Sequence, residues 1–289
     1  MTDAFAQRHL DRALAALSVR RFAVAEREAR EALTLRPGWL RARHALARAV
    51  FGLRRRDEAI AIARDSVGTD PQDEYSWYLL GFFLLAQDRM MAARDALTRA
   101  AELAPRAAYI LSALALTAAR TGSPDEARAL VRNALANDGA RDRLVLLDVV
   151  AVHLHLGDHE IAEQTAQQLL ALAPDDASSH ETLAKVLLAR GKPAQAYFAA
   201  QKTISMDPND TAAWRCMAHA AMQLRWFDKS EHAYRELWRL ESDNPIVARQ
   251  LADTLEKKGD YAALVAHCRE SVERFPEDAY LARLLASLV

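Results

Sequence analysis

Three histidines lie close together near the middle of the chain and are of a type that could bind a metal ion. His153, His155 and His159 fall within the segment VAVHLHLGDHE. Zinc ligands must converge on one point, whereas residues i and i+2 of a helix point to different sides, and Gly157 interrupts the helical pattern before His159. We therefore interpret the three side chains as packing and turn histidines and expect no metal or other cofactor.

A cysteine and a histidine three residues apart are the closest approach to a nucleophile and its base. Cys216 and His219 would be neighbours on one helix, but an activated thiol also needs a lowered pKa and a third, orienting group. GxSxG, P-loop and GxGxxG motifs are all absent from the sequence. We expect no catalytic residue, and we interpret Cys216 and Cys268 as reduced structural cysteines of a cytoplasmic protein.

The composition favours helix throughout and excludes several classes of protein. Of 289 residues, 51% are hydrophobic and only 9 are glycine. A net charge of −1 argues against nucleic-acid binding through phosphate contacts, and neither a signal peptide nor a membrane span is expected. Only six of the 38 basic residues are lysine, which suggests a GC-rich, bacterial genome. The front half is mildly basic and the rear half acidic, so head-to-tail self-association is possible.

The elements that position these residues follow a repeating pattern, clearest in residues 74–105, EYSWYLLGFFLLAQDRMMAARDALTRAAELAP. Trp77, Leu80, Gly81 and Leu84 share one face of a predicted helix, and Ala93, Leu97 and Ala100 share one face of the next, which ends before Pro105. The small residues Gly81 and Ala93 are expected where the two helices approach closely. The pattern recurs about every 34 residues.

The W-x2-L-G spacing, the small residue twelve positions later, the alanine seven further on and the closing proline resemble the tetratricopeptide repeat. This resemblance implies an all-α, right-handed superhelical solenoid of antiparallel helix pairs. We expect a single solenoid over residues 1–289, with a soft boundary near 137–142, where the turn NDGA replaces the proline. The eight expected repeats span residues 6–37, 40–71, 74–105, 108–139, 143–174, 177–208, 211–242 and 245–276, followed by a capping helix at 279–289.

In the tetratricopeptide repeat family, the first helices of successive repeats line a concave groove that binds peptides. Repeat positions 2, 5, 9 and 12 project into this groove, which here gives a basic cluster followed by an aromatic and aliphatic floor and then by a polar rear half. The tyrosines and arginines are of the residue types enriched at interaction hot spots. The expected groove residues are Arg41, His44, Arg48, Tyr75, Tyr78, Phe82, Tyr109, Leu116, Arg120 and Leu147.

Two specialised groove types of the family do not match. The clamp for C-terminal carboxylates requires lysine and asparagine at positions 5 and 9, and no three consecutive repeats supply its set. The asparagine ladder requires asparagine repeatedly at position 6, where this chain has other residues, Asp148 among them.

The sequence therefore predicts a non-enzymatic scaffold or adaptor that binds a protein segment with apolar or aromatic anchors and some acidic character. An accessory subunit or assembly chaperone of an enzyme complex stays open as an alternative, as does a peptide-responsive regulator. Burial of the aromatic floor against the protein itself is a further alternative to binding.

Overall fold

The computed structural model describes residues 2–137 and 139–289. This part of the chain contains seventeen α-helices, one short 3-10 helix and no strand. The helices are α1 (Thr2–Ser18), α2 (Phe22–Leu35), α3 (Leu40–Gly52), α4 (Arg56–Thr69), α5 (Glu74–Ala86), α6 (Met90–Leu103), α7 (Ala108–Arg120), α8 (Pro124–Ala136), α9 (Arg143–Leu156), α10 (His159–Leu172), α11 (Ala177–Ala189), α12 (Pro193–Met206), α13 (Thr211–Gln223), α14 (Phe227–Leu240), α15 (Pro245–Lys258), α16 (Tyr261–Arg274) and α17 (Ala279–Leu288). The predicted all-α repeat architecture is confirmed.

The chain forms two compact units, of which the first ends at Leu156 and the second begins at Gly157. The 3-10 helix Gly139–Arg141 follows α8 in the first unit, within the segment where the sequence predicts a soft boundary. Asp138 of that segment lies outside the described residues. Within each unit, consecutive helices pack against each other as antiparallel hairpins.

The hairpin of α5 and α6 shows why small residues recur in the pattern. A Cβ atom added to Gly81 would lie 2.6 Å from the Leu97 Cγ and 3.2 Å from the carbonyl oxygen of Ala93. Leu97 and Ala93 are fully buried, so neither can move aside without opening the core. The close approach predicted at Gly81 and Ala93 is therefore present in the structure.

In the turn between the two helices of each pair, one residue has a positive φ and so lies in the left-handed region of backbone conformation. This conformation is easy for glycine but strained for residues with a side chain. The first half of the chain uses mostly non-glycine residues here. In chain order, the residues with positive φ are Arg20, Arg54, Asp88, Gly122, Gly157, Gly191, Arg225 and Gly259.

Aromatic side chains fasten the start of one repeat to the end of the preceding one. The indole Nε1 of Trp77 donates a hydrogen bond of 3.0 Å to the carbonyl oxygen of Pro71. Trp214 donates a 2.9 Å bond to the carbonyl oxygen of Pro208 in the same way. The tryptophan and proline positions of the repeat are thus linked by a polar contact as well as by packing.

No helix in the described part of the chain has the length and apolar character that a membrane span requires.

Candidate binding groove

The candidate groove is built from the first helices of successive pairs in the first unit. Helix α3 contacts α5, α5 contacts α7, and α7 contacts α9. Because these four helices are consecutive neighbours, side chains at equivalent positions of each helix share one face. We call the half-buried aromatic residues on this face, Tyr75, Tyr78, Phe82 and Tyr109, the aromatic floor.

The rings of the aromatic floor contact one another directly. Tyr78 lies at the centre of the floor, with its ring centroid 4.7 Å from that of Tyr109, 5.6 Å from that of Tyr75 and 6.0 Å from that of Phe82. The Tyr78 and Tyr109 rings meet almost perpendicularly, at 85°, which is a favoured geometry for aromatic pairs. Each such pair contributes about 0.5–1.5 kcal/mol beyond its buried area, so the floor is held in place before any partner arrives.

One side of the aromatic floor packs onto the core, and the other side remains partly accessible to solvent. Tyr75, Tyr78 and Phe82 pack against the buried cluster of α1 to α6, and Tyr109 packs against that of α7 to α9. None of the four is fully buried, and the predicted aliphatic neighbours Leu116 and Leu147 are half-buried as well. Such a surface can support its own fold and still offer apolar contacts to a ligand.

His44, predicted as a groove contact, has a different role. Its ring is 8% exposed, and its Nε2 lies 2.8 Å from the Ser76 hydroxyl and 3.3 Å from Asp73 Oδ2. The Tyr75 ring covers its edge, with the centroids 5.1 Å apart. Burial lowers the pKa of His44, against the opposing effect of Asp73. His44 is therefore neutral at neutral pH and supports Tyr75 from below.

The positive charge at the front of the groove comes from two arginines on α3. Arg41 and Arg48 are exposed, and neither forms an ion pair or a side-chain hydrogen bond with a described residue. Arg120, also predicted for the groove, lies at the end of α7, where its Nη2 is 2.6 Å from Asp88 Oδ1 in the turn between α5 and α6. Arg120 thus links two turns at the edge, and Arg41 and Arg48 are the cations open to a ligand.

A carboxylate lies at the far end of the floor. Ser112 Oγ donates a hydrogen bond of 2.7 Å to Asp148 Oδ2, from α7 to α9. Burial raises the pKa of Asp148 to about 7, with a further contribution from Asp142 and an opposing one from the Ser112 hydrogen bond. Sequence reasoning placed Asp148 at repeat position 6 but gave it no role, because the spacing alone does not show that this carboxylate has no cation beside it.

The hydroxyls of Tyr78 and Tyr109 stay protonated under ordinary conditions. Burial raises the pKa of Tyr109 to about 12. Burial also raises the pKa of Tyr78, with Asp148 as the next contribution. These two residues therefore offer uncharged hydroxyl groups and ring faces to a ligand.

The corresponding face of the second unit is polar, as the sequence predicts, but its charges are already paired. Arg215 Nη2 lies 2.7 Å from Glu241 Oε2, and Arg249 Nε lies 2.8 Å from Asp278 Oδ2. Lys185 pairs with Glu181 on its own helix. Free cations beside an open aromatic surface are thus a feature of the first unit's groove.

The histidines considered for metal binding and the cysteine considered for catalysis do not form a metal site or an activated thiol in the described part of the chain. His153 is buried and His155 is exposed, and no group of three candidate metal ligands occurs among the described residues. Cys216 is 7% exposed, and burial raises the pKa of its thiol to about 11. The His219 ring lies 3.1 Å from the amide nitrogen of Gln250. A protonated, buried thiol is a poor nucleophile.

The sequence profile of the tetratricopeptide repeat family matches residues 10–74, 78–142, 151–214 and 217–279. The chain therefore belongs to the tetratricopeptide repeat family, whose members are generally non-catalytic protein-interaction scaffolds. No curated protein sequence matches the chain significantly.

Solved structures with the same fold cover most of the chain. A chain of the APC/C hetero-tetramer Cut9–Hcn1 aligns with a TM-score of 0.74 and 19% identity over 97% of this chain. This chain spans 55% of the length of that protein. Human IFIT1, in a dimer with PPP-AAAA, aligns with a TM-score of 0.70 and 15% identity, covering 91% of this chain and 68% of its own. Pseudomonas aeruginosa pilF aligns with a TM-score of 0.59 and 21% identity, covering 74% of this chain and 97% of its own. These similarities show the fold.

Proposed function

We propose that the protein is a non-enzymatic scaffold of the cytoplasm that binds a segment of a partner protein in the groove of its first unit. The observation that carries this proposal is the aromatic floor, four rings in mutual contact that are held from below and accessible from above. Large, rigid aromatic side chains lose little conformational entropy on binding and are enriched among residues that dominate binding energy.

The chemistry of the groove defines the partner segment. Apolar or aromatic anchor side chains of the partner would pack on Tyr78 and Phe82, which have ring faces without charge. An acidic group of the partner would pair with Arg41 or Arg48, since both guanidinium groups lack a partner within the described chain. The segment would lie across α3, α5 and α7, in contact with side chains from each of these helices.

The proposal is tested with peptides selected from a random nine-residue library on the immobilised full chain. Fluorescence anisotropy then gives the Kd of each peptide for the wild-type chain and for Tyr78→Ala and Phe82→Ala. Each substitution should weaken binding by about 10- to 100-fold if the residue is a hot spot. Circular dichroism melting shows that the variants are folded.

A matched control is available in the second unit. Phe198 on α12 is 59% exposed and lies outside the groove, so Phe198→Ala should leave the Kd unchanged. The groove proposal fails if the folded Tyr78→Ala and Phe82→Ala variants bind as tightly as the wild type. It also fails if the control weakens binding as much as they do.

A further inference from the structure

The buried carboxylates of the described chain are a standard with which the half-buried Asp148 can be compared. Four carboxylates are almost fully buried, and each has a cationic partner. Glu28 pairs with Arg27 and His9, Glu163 with Lys192 and Arg190, Glu231 with Lys258 and Arg235, and Asp278 with Arg249. A carboxylate removed from water needs such a partner to remain ionised at low cost.

Asp148 has no such partner. Its surroundings withdraw it from water strongly enough to raise its pKa to about 7, yet it forms no ion pair with a described residue. Its one hydrogen-bond partner is Ser112, which reaches Oδ2 and leaves Oδ1 without a donor from the described residues. The residue is half-buried, and it lies beside Ser112 of α7 and near Tyr78 of the aromatic floor. A cation arriving from the groove would supply the missing partner.

The neighbours of Asp148 also suit a cation. The rings of Tyr78 and Tyr109 pack against each other, with their centroids 4.7 Å apart. Asp148 is close enough to Tyr78 to affect its pKa. The faces of tyrosine rings attract ammonium and guanidinium groups, and this attraction strengthens where water is partly excluded.

We propose that Asp148, together with Ser112, Tyr78 and Tyr109, forms a subsite for a lysine or arginine side chain of the bound segment. This inference rests on the proposed function of the groove and adds to it the charge pattern of the partner. The acidic end of the segment lies at Arg41 and Arg48 on α3, and its basic residue lies at Asp148 on α9.

The spacing of the helices sets the length of the segment. Three helix-to-helix steps separate α3 from α9, and packed helices lie about 8–10 Å apart. The two ends are thus at most roughly 25–30 Å apart, a distance that about eight or nine extended residues cover. An acidic residue, one or two apolar anchors and a basic residue fit within this length.

The test uses three nine-residue peptide libraries that are randomised except at the last position, which is fixed as lysine, norleucine or glutamate. Norleucine keeps the aliphatic length of lysine without its charge. Fluorescent pools are applied to the immobilised full chain, and the Kd of recovered peptides is measured with each of the three residues at the last position. On the wild-type chain, peptides that end in lysine should bind at least about tenfold more tightly than peptides that end in norleucine. Peptides that end in glutamate should bind most weakly.

Two substitutions of Asp148 assign this preference to the subsite. With Asp148→Asn, which keeps an oxygen to accept from Ser112, lysine and norleucine peptides should bind equally. With Asp148→Lys, glutamate peptides should become the tightest. Asp95→Asn, at an exposed carboxylate on α6, is the matched control and should keep the preference for lysine.

The outcomes separate this inference from the proposed function. Equal binding of lysine and norleucine peptides to the wild type, or a lysine preference that survives Asp148→Asn, overturns the basic subsite. If Phe82→Ala still weakens those peptides, the groove itself stands. If Phe82→Ala and Tyr78→Ala both leave the Kd of the peptides unchanged, both proposals are overturned.

Discussion

The hydroxyl of Ser112 on α7 donates a hydrogen bond of 2.7 Å to the carboxylate of Asp148 on α9. This bond joins the first helices of two successive helix pairs on the groove face. It also favours the ionised form of a carboxylate that its surroundings otherwise push towards the neutral form. Because these two effects oppose each other, a charged ligand group placed beside Asp148 would shift its protonation state.

Asp148 should make the stability of the first unit depend on pH. Its pKa is about 7 in the folded chain, against an ordinary value of 3.8, so the folded state binds this proton more tightly than the unfolded state does. The free energy of unfolding should therefore fall as pH rises from about 4 to about 7. Asp148→Asn should abolish this contribution, and its advantage over the wild type should grow to the order of 1–3 kcal/mol at pH 8. Urea unfolding from pH 4.5 to 8 measures the difference.

Ser112→Ala provides the control for this pH dependence. It removes the donor that stabilises ionised Asp148, so it should destabilise the chain at pH 8 and have a smaller effect at pH 4.5. Asp142, which also raises the Asp148 pKa, is unchanged in both variants. A constant free-energy difference between the wild type and Asp148→Asn across this range would contradict the assignment.

Gly81→Ala should destabilise the α5–α6 hairpin. The new methyl group would meet the buried Leu97 side chain at 2.6 Å, and overpacking of this kind typically costs about 1–3 kcal/mol. Gly68→Ala, near the end of α4, is the matched control, because its methyl group would meet nothing within 4 Å. The control should stabilise by up to about 1 kcal/mol through helix propensity. If the urea midpoints of Gly81→Ala and Gly68→Ala shift in the same direction, the surrounding side chains can accommodate the extra methyl group at Gly81.

Arg54→Gly should stabilise the chain. Arg54 has a φ of 62° in the turn between α3 and α4, a conformation that costs an L-residue on the order of 1 kcal/mol and costs glycine little. The reverse change at the equivalent turn, Gly191→Ala, should destabilise by a similar amount, since Gly191 has a φ of 68° and its methyl group would meet nothing within 4 Å. Opposite shifts in thermal midpoint are expected. A lower midpoint for Arg54→Gly would mean that its side chain contributes a stabilising contact.

The repeat pattern was sufficient to predict the fold, because it rests on local spacing. Helix periodicity, the small residues at Gly81 and Ala93 and the closing prolines each reflect contacts between helices that follow one another along the chain. The aromatic floor could be predicted for the same reason, since residues at one repeat position share a face. The expected repeat boundaries and the groove's role in binding stay predictions.

Side-chain environment could not be read from spacing. His44 and Arg48 are both polar residues at groove positions of α3, but His44 is buried under Tyr75 and Arg48 is exposed. The difference depends on Ser76, 32 residues away in sequence, whose hydroxyl forms a hydrogen bond with the His44 imidazole. Likewise, only the arrangement of α7 and α9 shows that Asp148 has Ser112 as a neighbour and no cation. Pairings between repeats decide these environments, and a periodic pattern contains no information about them.

Both cysteines should be inert in the folded chain. Cys216 and Cys268 are buried and unpaired, and burial raises the pKa of each thiol. Because the thiolate is the reactive form, reaction with 5,5′-dithiobis(2-nitrobenzoic acid) at pH 8 should be slow in buffer and fast in 6 M guanidinium chloride. Cys268→Ser leaves Cys216 as the sole thiol, so its rate can be followed alone. Fast modification of Cys216 in the native Cys268→Ser variant would show that the thiol is accessible to solvent and would reopen the question of its chemistry.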